Sequence, residues 1–159
     1  MSQEKKSKLE GNAVDRPLHY TSHPSGIEAI EVCAEMGFCT GNAFKYLMRL
    51  DKKWDSIEDI RKSSWYCQYE LWVRGGDKDH KLPEITDESL DWLWTAGRYW
   101  PNKQEPMKVR SIVELTPGHV GRAMYYIWKA DKVLDTTPLM MARSHLQAEI
   151  EQRTKTLTQ

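Results

Sequence analysis

The sequence has no net charge: its 159 residues carry 23 Lys and Arg against 23 Asp and Glu. Duplex nucleic acid is held by a broad basic footprint, so no duplex nucleic-acid partner is expected. No apolar run approaches the ~20 residues that cross a bilayer, so no membrane partner is expected either. Paired cysteines are missing. Cys33, Cys39 and Cys67 are an odd set without CxxC spacing, which points to reduced intracellular thiols rather than a disulfide framework or a zinc site. The opening MSQEKKSKLEGN lacks the apolar stretch of a signal peptide and reads as a disordered tail over about residues 1–15. No GxxxxGK[ST] phosphate loop occurs, and GGDKDHK is no substitute. Phe is scarce, two residues against seven Trp and seven Tyr. Trp and Tyr join a large apolar area to a hydrogen-bonding tip and suit half-buried faces, stacking sites and subunit contacts. A homo-oligomer is expected.

Helix punctuation is abundant, whereas strand alternation with hairpin turns is not evident. Ser25 and Glu28 stand in capping-box spacing before a helix over about 27–36 that Gly37 ends. A second helix is predicted over about 41–50. A third, capped by Ser56, is predicted to run to about Arg74, where Gly75 and Gly76 stop it. A linker over about 75–107 carries an extra helix near 87–97. Thr116-Pro117 and Thr137-Pro138 each read as a cap followed by proline, opening helices near 117–130 and 138–154 before a short tail at 155–159. The fold class is all-α.

Shifting the sequence by 80 positions lays GNAFKYLMRLDKKWDSIEDI on GRAMYYIWKADKVLDTTPLM, with six identities in twenty against about one expected by chance. Two degenerate helix-pair repeats, about 27–74 and 108–154, are predicted to pack about a pseudo-two-fold axis as a bundle, since one pair cannot cover its own apolar face. The copies differ chemically: Asn42, Lys45 and Lys53 meet Arg122, Tyr125 and Val133. Polar chemistry is therefore expected in the first copy and a structural role in the second.

In that first copy Asn42, Lys45, Arg49 and Lys52 follow +3, +4, +3 spacing, one helical face, with Lys53 at the last turn. The helix dipole accounts for the two terminal lysines. It does not account for Lys45 beside Arg49, since like charges at i,i+4 repel unless something lies between them. Either the face is solvated or it holds an anion such as phosphate. His19 and Tyr20 precede a turn containing His23 and could reach a phosphate or base. Glu28 and Glu31 on one helix, and Glu58 and Asp59 on another, could orient the basic groups or hold Mg²⁺; which metal, if any, the sequence leaves open. Trp65, Tyr69 and Trp72 form an i, i+4, i+7 stripe that reads as core or subunit interface.

The blocks RPLHY, GIEAIE, GNAFKYLMRLDKK and EDIRKSSWY, in that order over about 16–74, resemble a family of small phage proteins whose characterised type is a nucleotide kinase of short-tailed phages that lacks a P-loop. The matching positions are Pro17, His19 and Tyr20; Ile27, Glu28, Ile30 and Glu31; Gly41, Asn42, Lys45, Tyr46, Arg49, Lys52 and Lys53; and Glu58, Asp59, Lys62 and Tyr66. Asp51 stands where that family usually has glycine, and Ser63 where it has alanine. The resemblance implies a (deoxy)nucleoside monophosphate kinase, with ATP or another nucleoside triphosphate as donor, working in the cytoplasm of an infected host cell. His19, Lys45 and Arg49 would be catalytic. Tyr20, Asn42, Lys45, Arg49, Lys52 and Lys53 would bind the nucleotide and its phosphates. Two other readings stand beside it: a non-enzymatic phage protein that binds nucleotides or captures a host protein, and an all-α Mg²⁺-dependent nucleoside triphosphate pyrophosphohydrolase built on the acidic pairs.

Overall fold

The computed structural model of the chain describes residues 14, 17–52, 55–76, 81–85 and 105–158, with side chains in the last span from residue 108. The helix expected near 87–97, the 1–15 tail as a whole and Lys53 lie outside the described residues. Among these residues there are seven helices and no strand: α1 Leu18–Thr21, α2 Ala29–Cys33, α3 Phe38–Met48, α4 Ser56–Val73, α5 Glu105–Glu114, α6 Gly118–Lys132 and α7 Thr137–Leu157. The all-α bundle is as expected. No described helix is long and apolar enough to cross a membrane.

Several boundaries differ from those expected, and each has a local cause. The first helix is short because the capping box forms between Glu28 and Glu31 rather than at Ser25. The Ser25 hydroxyl instead accepts from the Ile27 N–H (3.2 Å) and bonds the His23 ring (2.8 Å), building the turn before it. α3 starts at Phe38 because the Gly37 N–H donates to an Asp131 carboxylate oxygen 2.7 Å away, a cap supplied from the far half of the chain. Asp55, not Ser56, caps α4 by accepting from the Glu58 N–H at 2.9 Å. α7 runs through Leu157, where a tail was expected. The one-turn α1 and the helix α5 were not expected.

The repeat is realised in three dimensions. The starts of α3 and α6, at Phe38 and Gly118, are 80 positions apart. α2 packs on α3 and α3 on α4; likewise α5 packs on α6 and α6 on α7. Each helix then meets its own counterpart: α2 meets α5, α3 meets α6 and α4 meets α7. That is the contact scheme of a pseudo-two-fold. Gly41 and Gly121 occupy equivalent crossings. A Cβ on Gly41 would lie 3.2 Å from the Cys33 carbonyl oxygen, and one on Gly121 3.1 Å from that of Val113, the residue 80 positions on. Ala43 and Ala123, also 80 positions apart, are both fully buried.

Two arginines close the frame reciprocally. Arg74, braced by Glu70, donates to the Val133 carbonyl (2.8 Å) in the α6–α7 loop. Arg153, braced by Glu149, donates to Asp51 (2.8 Å) in the α3–α4 loop. Between them lies a core of large side chains from both halves, including Phe44, Leu47, Ile60, Ile112, Ile127 and Leu139. The buried Ser63 hydroxyl ties α4 to α3 by donating to the Ala43 carbonyl (2.9 Å).

Candidate functional site

The basic run on α3 is divided between two environments. Arg49 is buried, and its guanidinium grips Asp59 with two hydrogen bonds, at 2.6 and 3.1 Å. A third bond, 2.9 Å, runs to the Tyr20 hydroxyl. The Tyr46 ring lies beneath it, 4.5 Å from the guanidinium carbon. Burial works against the charge, but the hydrogen bonds to Asp59 and Tyr20 outweigh it and hold Arg49 above its ordinary value. A bidentate guanidinium–carboxylate pair of this kind is satisfied from within. Arg49 therefore anchors α1 and α4 to α3; a bound phosphate would have to displace Asp59.

Lys45, one turn earlier, is in a different position. Its ammonium donates to the Asn42 side-chain oxygen at 2.9 Å. It sits 4.9 Å from the Tyr46 ring centre and 5.9 Å from that of Tyr20. Among the described residues it makes no ion pair. Burial, then the Arg49 charge, lowers its pKa, with the Cys33 thiol acting the other way. Asn42 is fixed in turn, its amide donating to the Phe38 carbonyl at 2.7 Å.

Lys45 opens onto a cavity of about 280 Å³ between α1, α2 and α3, lined by Pro17, Tyr20, Thr21, Glu28, Ala29, Ile30 and Cys33. The walls are mainly apolar, with Lys45 and Glu28 as the two charged groups. Cys33 contributes an inert thiol: burial pushes its pKa up to about 12 despite the nearby Lys45.

The other expected residues are dispersed. His19 packs its ring 4.2 Å from that of Tyr20. Lys52 does not share the face of Asn42, Lys45 and Arg49, because α3 ends at Met48 and the chain turns through Asp51 at φ 64°. It lines a separate groove with His23, Pro117 and Val120. His23 itself is buried and bridges the halves through a 2.9 Å bond to Thr116. Glu58 pairs with Lys62 on α4. Glu31 caps α2 and lies 3.6 Å from Lys108. Glu28, Glu31, Glu58 and Asp59 therefore do not converge, and among the described residues no group of three or more His, Cys, Asp or Glu could hold a metal.

Tyr46 is the member of this cluster that spacing arguments passed over. Lys45, Arg49 and Lys62 lie 4.9, 4.5 and 5.6 Å from its ring. A ring face attracts cations by about 0.5–2 kcal/mol each, which offsets the like-charge repulsion on α3. The sequence signal was available, since Tyr46 follows Lys45 directly, but a tyrosine in a helix reads first as packing.

A family model described as a protein of unknown function (DUF3310) matches residues 14–68, about a third of the chain. The match contains Tyr20, Glu28, Lys45, Arg49 and Asp59. No nucleotide kinase family matches, which overturns the assignment to the phage nucleotide kinases. No curated protein and no solved structure matches the chain.

Proposed function

We propose that the cavity beneath Lys45 binds a single small molecule in which one anionic group is joined to an apolar or aromatic body, and that a nucleoside monophosphate is the class it suits. The observation that carries this reading is Lys45 itself: a half-buried ammonium between two tyrosine rings, hydrogen-bonded to a neutral amide and without an acidic partner among the described residues. A phosphate oxygen would supply the missing counter-charge. The Tyr20 ring and the Pro17, Ala29 and Ile30 walls would take the base, and Glu28 would accept from a sugar hydroxyl or an exocyclic amine.

Ligand pockets commonly run from ~300 to 1,000 Å³, and about 280 Å³ stands at the bottom of that range, which suits one small ligand rather than two substrates. A phosphotransferase must also seat a triphosphate donor and neutralise it. Here Arg49 is engaged by Asp59 and Lys52 faces another groove. Of the three readings of the sequence, the nucleotide-binding protein is therefore the one the geometry favours.

Titration calorimetry with the nucleoside monophosphates, the matching nucleosides and inorganic phosphate tests it. At least one monophosphate should bind, and Lys45→Met should weaken it by about 10-fold or more, the scale of one lost charge-assisted bond. The nucleoside should bind weakly to both proteins. Equal monophosphate affinity in the two proteins overturns the reading.

A further inference from the structure

α4 displays an aromatic array that the pocket does not use. Phe38, Trp65, Tyr69 and Trp72 are 76, 58, 42 and 49 % exposed. They form a connected set of rings: Phe38 against Tyr66 at 6.0 Å, Tyr66 against Trp65 at 5.1 Å, Trp65 stacked on Tyr69 at 5.5 Å, and Tyr69 against Trp72 at 5.8 Å. With about 150–250 Å² per aromatic side chain, the four exposed rings present roughly 500 Å². That approaches the upper end of the ~300–600 Å² typical of the largest patch on a monomer. It is also more than half of the ~800 Å² each partner gives to a stable interface. The other half of the molecule has no such array: Gly118, His145, Glu149 and Gln152 stand 80 residues on from Phe38, Trp65, Tyr69 and Trp72.

We infer that this face pairs with the same face of a second copy of the chain, α4 against α4 in antiparallel orientation about a two-fold axis beside Cys67. The stripe is self-complementary about that point. The axis places residue 67 − n opposite residue 67 + n of the partner, so Trp65 meets the partner's Tyr69 and Tyr69 meets the partner's Trp65. Arg61 and Lys62 fall opposite the partner's Val73 and Trp72. Arg61 is exposed and makes no ion pair among the described residues, and the partner's Trp72, one position from the Val73 it faces, can offer its ring for a cation–π contact. An isologous interface requires this reciprocity. The antiparallel pairing also sets the two helix dipoles head to tail. Single-stranded nucleic acid would use the rings as a stacking platform, but it needs a basic groove along them. Here Lys62 is paired with Glu58, which leaves Arg61 as the unpaired cation at this face among the described residues.

Light scattering after gel filtration at micromolar concentration tests the pairing. Wild type should run as a dimer. The double substitution Trp65→Glu and Tyr69→Glu should run as a monomer with unchanged helical circular dichroism, association being weakened at least ~100-fold, as for loss of interface hot spots. Register is tested with Arg61→Cys and Val73→Cys in one chain and a short bismaleimide. The two sites are roughly 18 Å apart along one helix at 1.5 Å per residue, too far for a link within one chain, so a covalent dimer is expected that neither single variant gives. A monomeric wild type, a dimer that survives the double substitution, or no covalent dimer from the double-cysteine protein overturns the inference. So does a wild-type monomer that binds a single-stranded oligonucleotide through Trp65 and Tyr69.

Discussion

Gly41 and Gly121 meet the carbonyls of equivalent residues in their own halves, yet the side chains built on those equivalent frames do different work. Where the first half has Lys45, Arg49 and Asp59, the second has Tyr125, Lys129 and Leu139. The first three make a buried ion pair beside an ammonium that faces a cavity. Tyr125 and Leu139 are buried in the core. The contrast separates what the fold needs from what the site adds. Small residues at the crossings, arginine braces at the helix ends and an apolar interior recur in both halves. Lys45, the buried Arg49–Asp59 pair, Tyr20 and α1 belong to one.

The comparison breaks most sharply at Asp59. Asp59→Leu, which copies Leu139, strands the Arg49 guanidinium in the interior. A loss of about 3–5 kcal/mol is expected in urea unfolding. Adding Arg49→Met should recover most of it, because the buried charge goes with its partner. Equal losses in the single and double variants would mean that the pair is not what holds α4 to α3 here.

The crossings come next. A Cβ on Gly121 would lie 2.1 Å from the Thr116 carbonyl oxygen, whereas one on Gly41 meets nothing nearer than 3.2 Å. Gly121→Ala should cost about 3 kcal/mol and Gly41→Ala about 1 kcal/mol, the upper and lower ends of an overpacking penalty. The reverse order would contradict the inequality between the halves.

A titration separates the halves as well. His145 is fully buried, its Nδ1 3.0 Å from that of His119 and its ring stacked on Tyr126. Burial, then His119 and Arg122, lower its pKa from 6.5 to about 4. The unfolded chain therefore binds this proton at a higher pH than the folded one. Stability is full above about pH 6.5 and falls as the pH drops toward 4, by on the order of 3 kcal/mol in all. His145→Phe should flatten the stability curve across that window, read from urea midpoints at several pH values. An unchanged slope would place the acid sensitivity elsewhere.

The smallest effect is at Asp51, held at φ 64° while its carboxylate takes an Arg153 hydrogen bond at 2.8 Å. Asp51→Gly relieves a backbone cost of about 1–2 kcal/mol and gives up a largely exposed ion pair worth about 0–1 kcal/mol. The net change should be within about 1 kcal/mol of zero, with the variant less sensitive to salt than the wild type. A large loss would show that the Arg153 brace matters more than its exposure implies.

The frame was more legible than the site. The duplication could be read from Gly41 and Ala43 lying on Gly121 and Ala123, because small buried residues cannot be replaced freely and local spacing preserves them. The start of α3 could not, because its cap is Asp131, more than ninety residues away. The +3, +4, +3 rule grouped Lys45, Arg49 and Lys52 as one clamp; it holds only inside a helix, and the turn at Asp51 carries Lys52 off. Spacing also cannot tell which of two neighbouring cations a carboxylate from another helix will take. Asp59 takes Arg49, and Lys45 is left facing the cavity.

The most direct test is a titration of isotope-labelled protein with a nucleoside monophosphate, followed by NMR. Chemical-shift changes centred on Lys45, Tyr20, Glu28 and Cys33, with Tyr125 and its surroundings unmoved, are the predicted result. Changes centred on the second half, or no change at saturating nucleotide, would contradict the account.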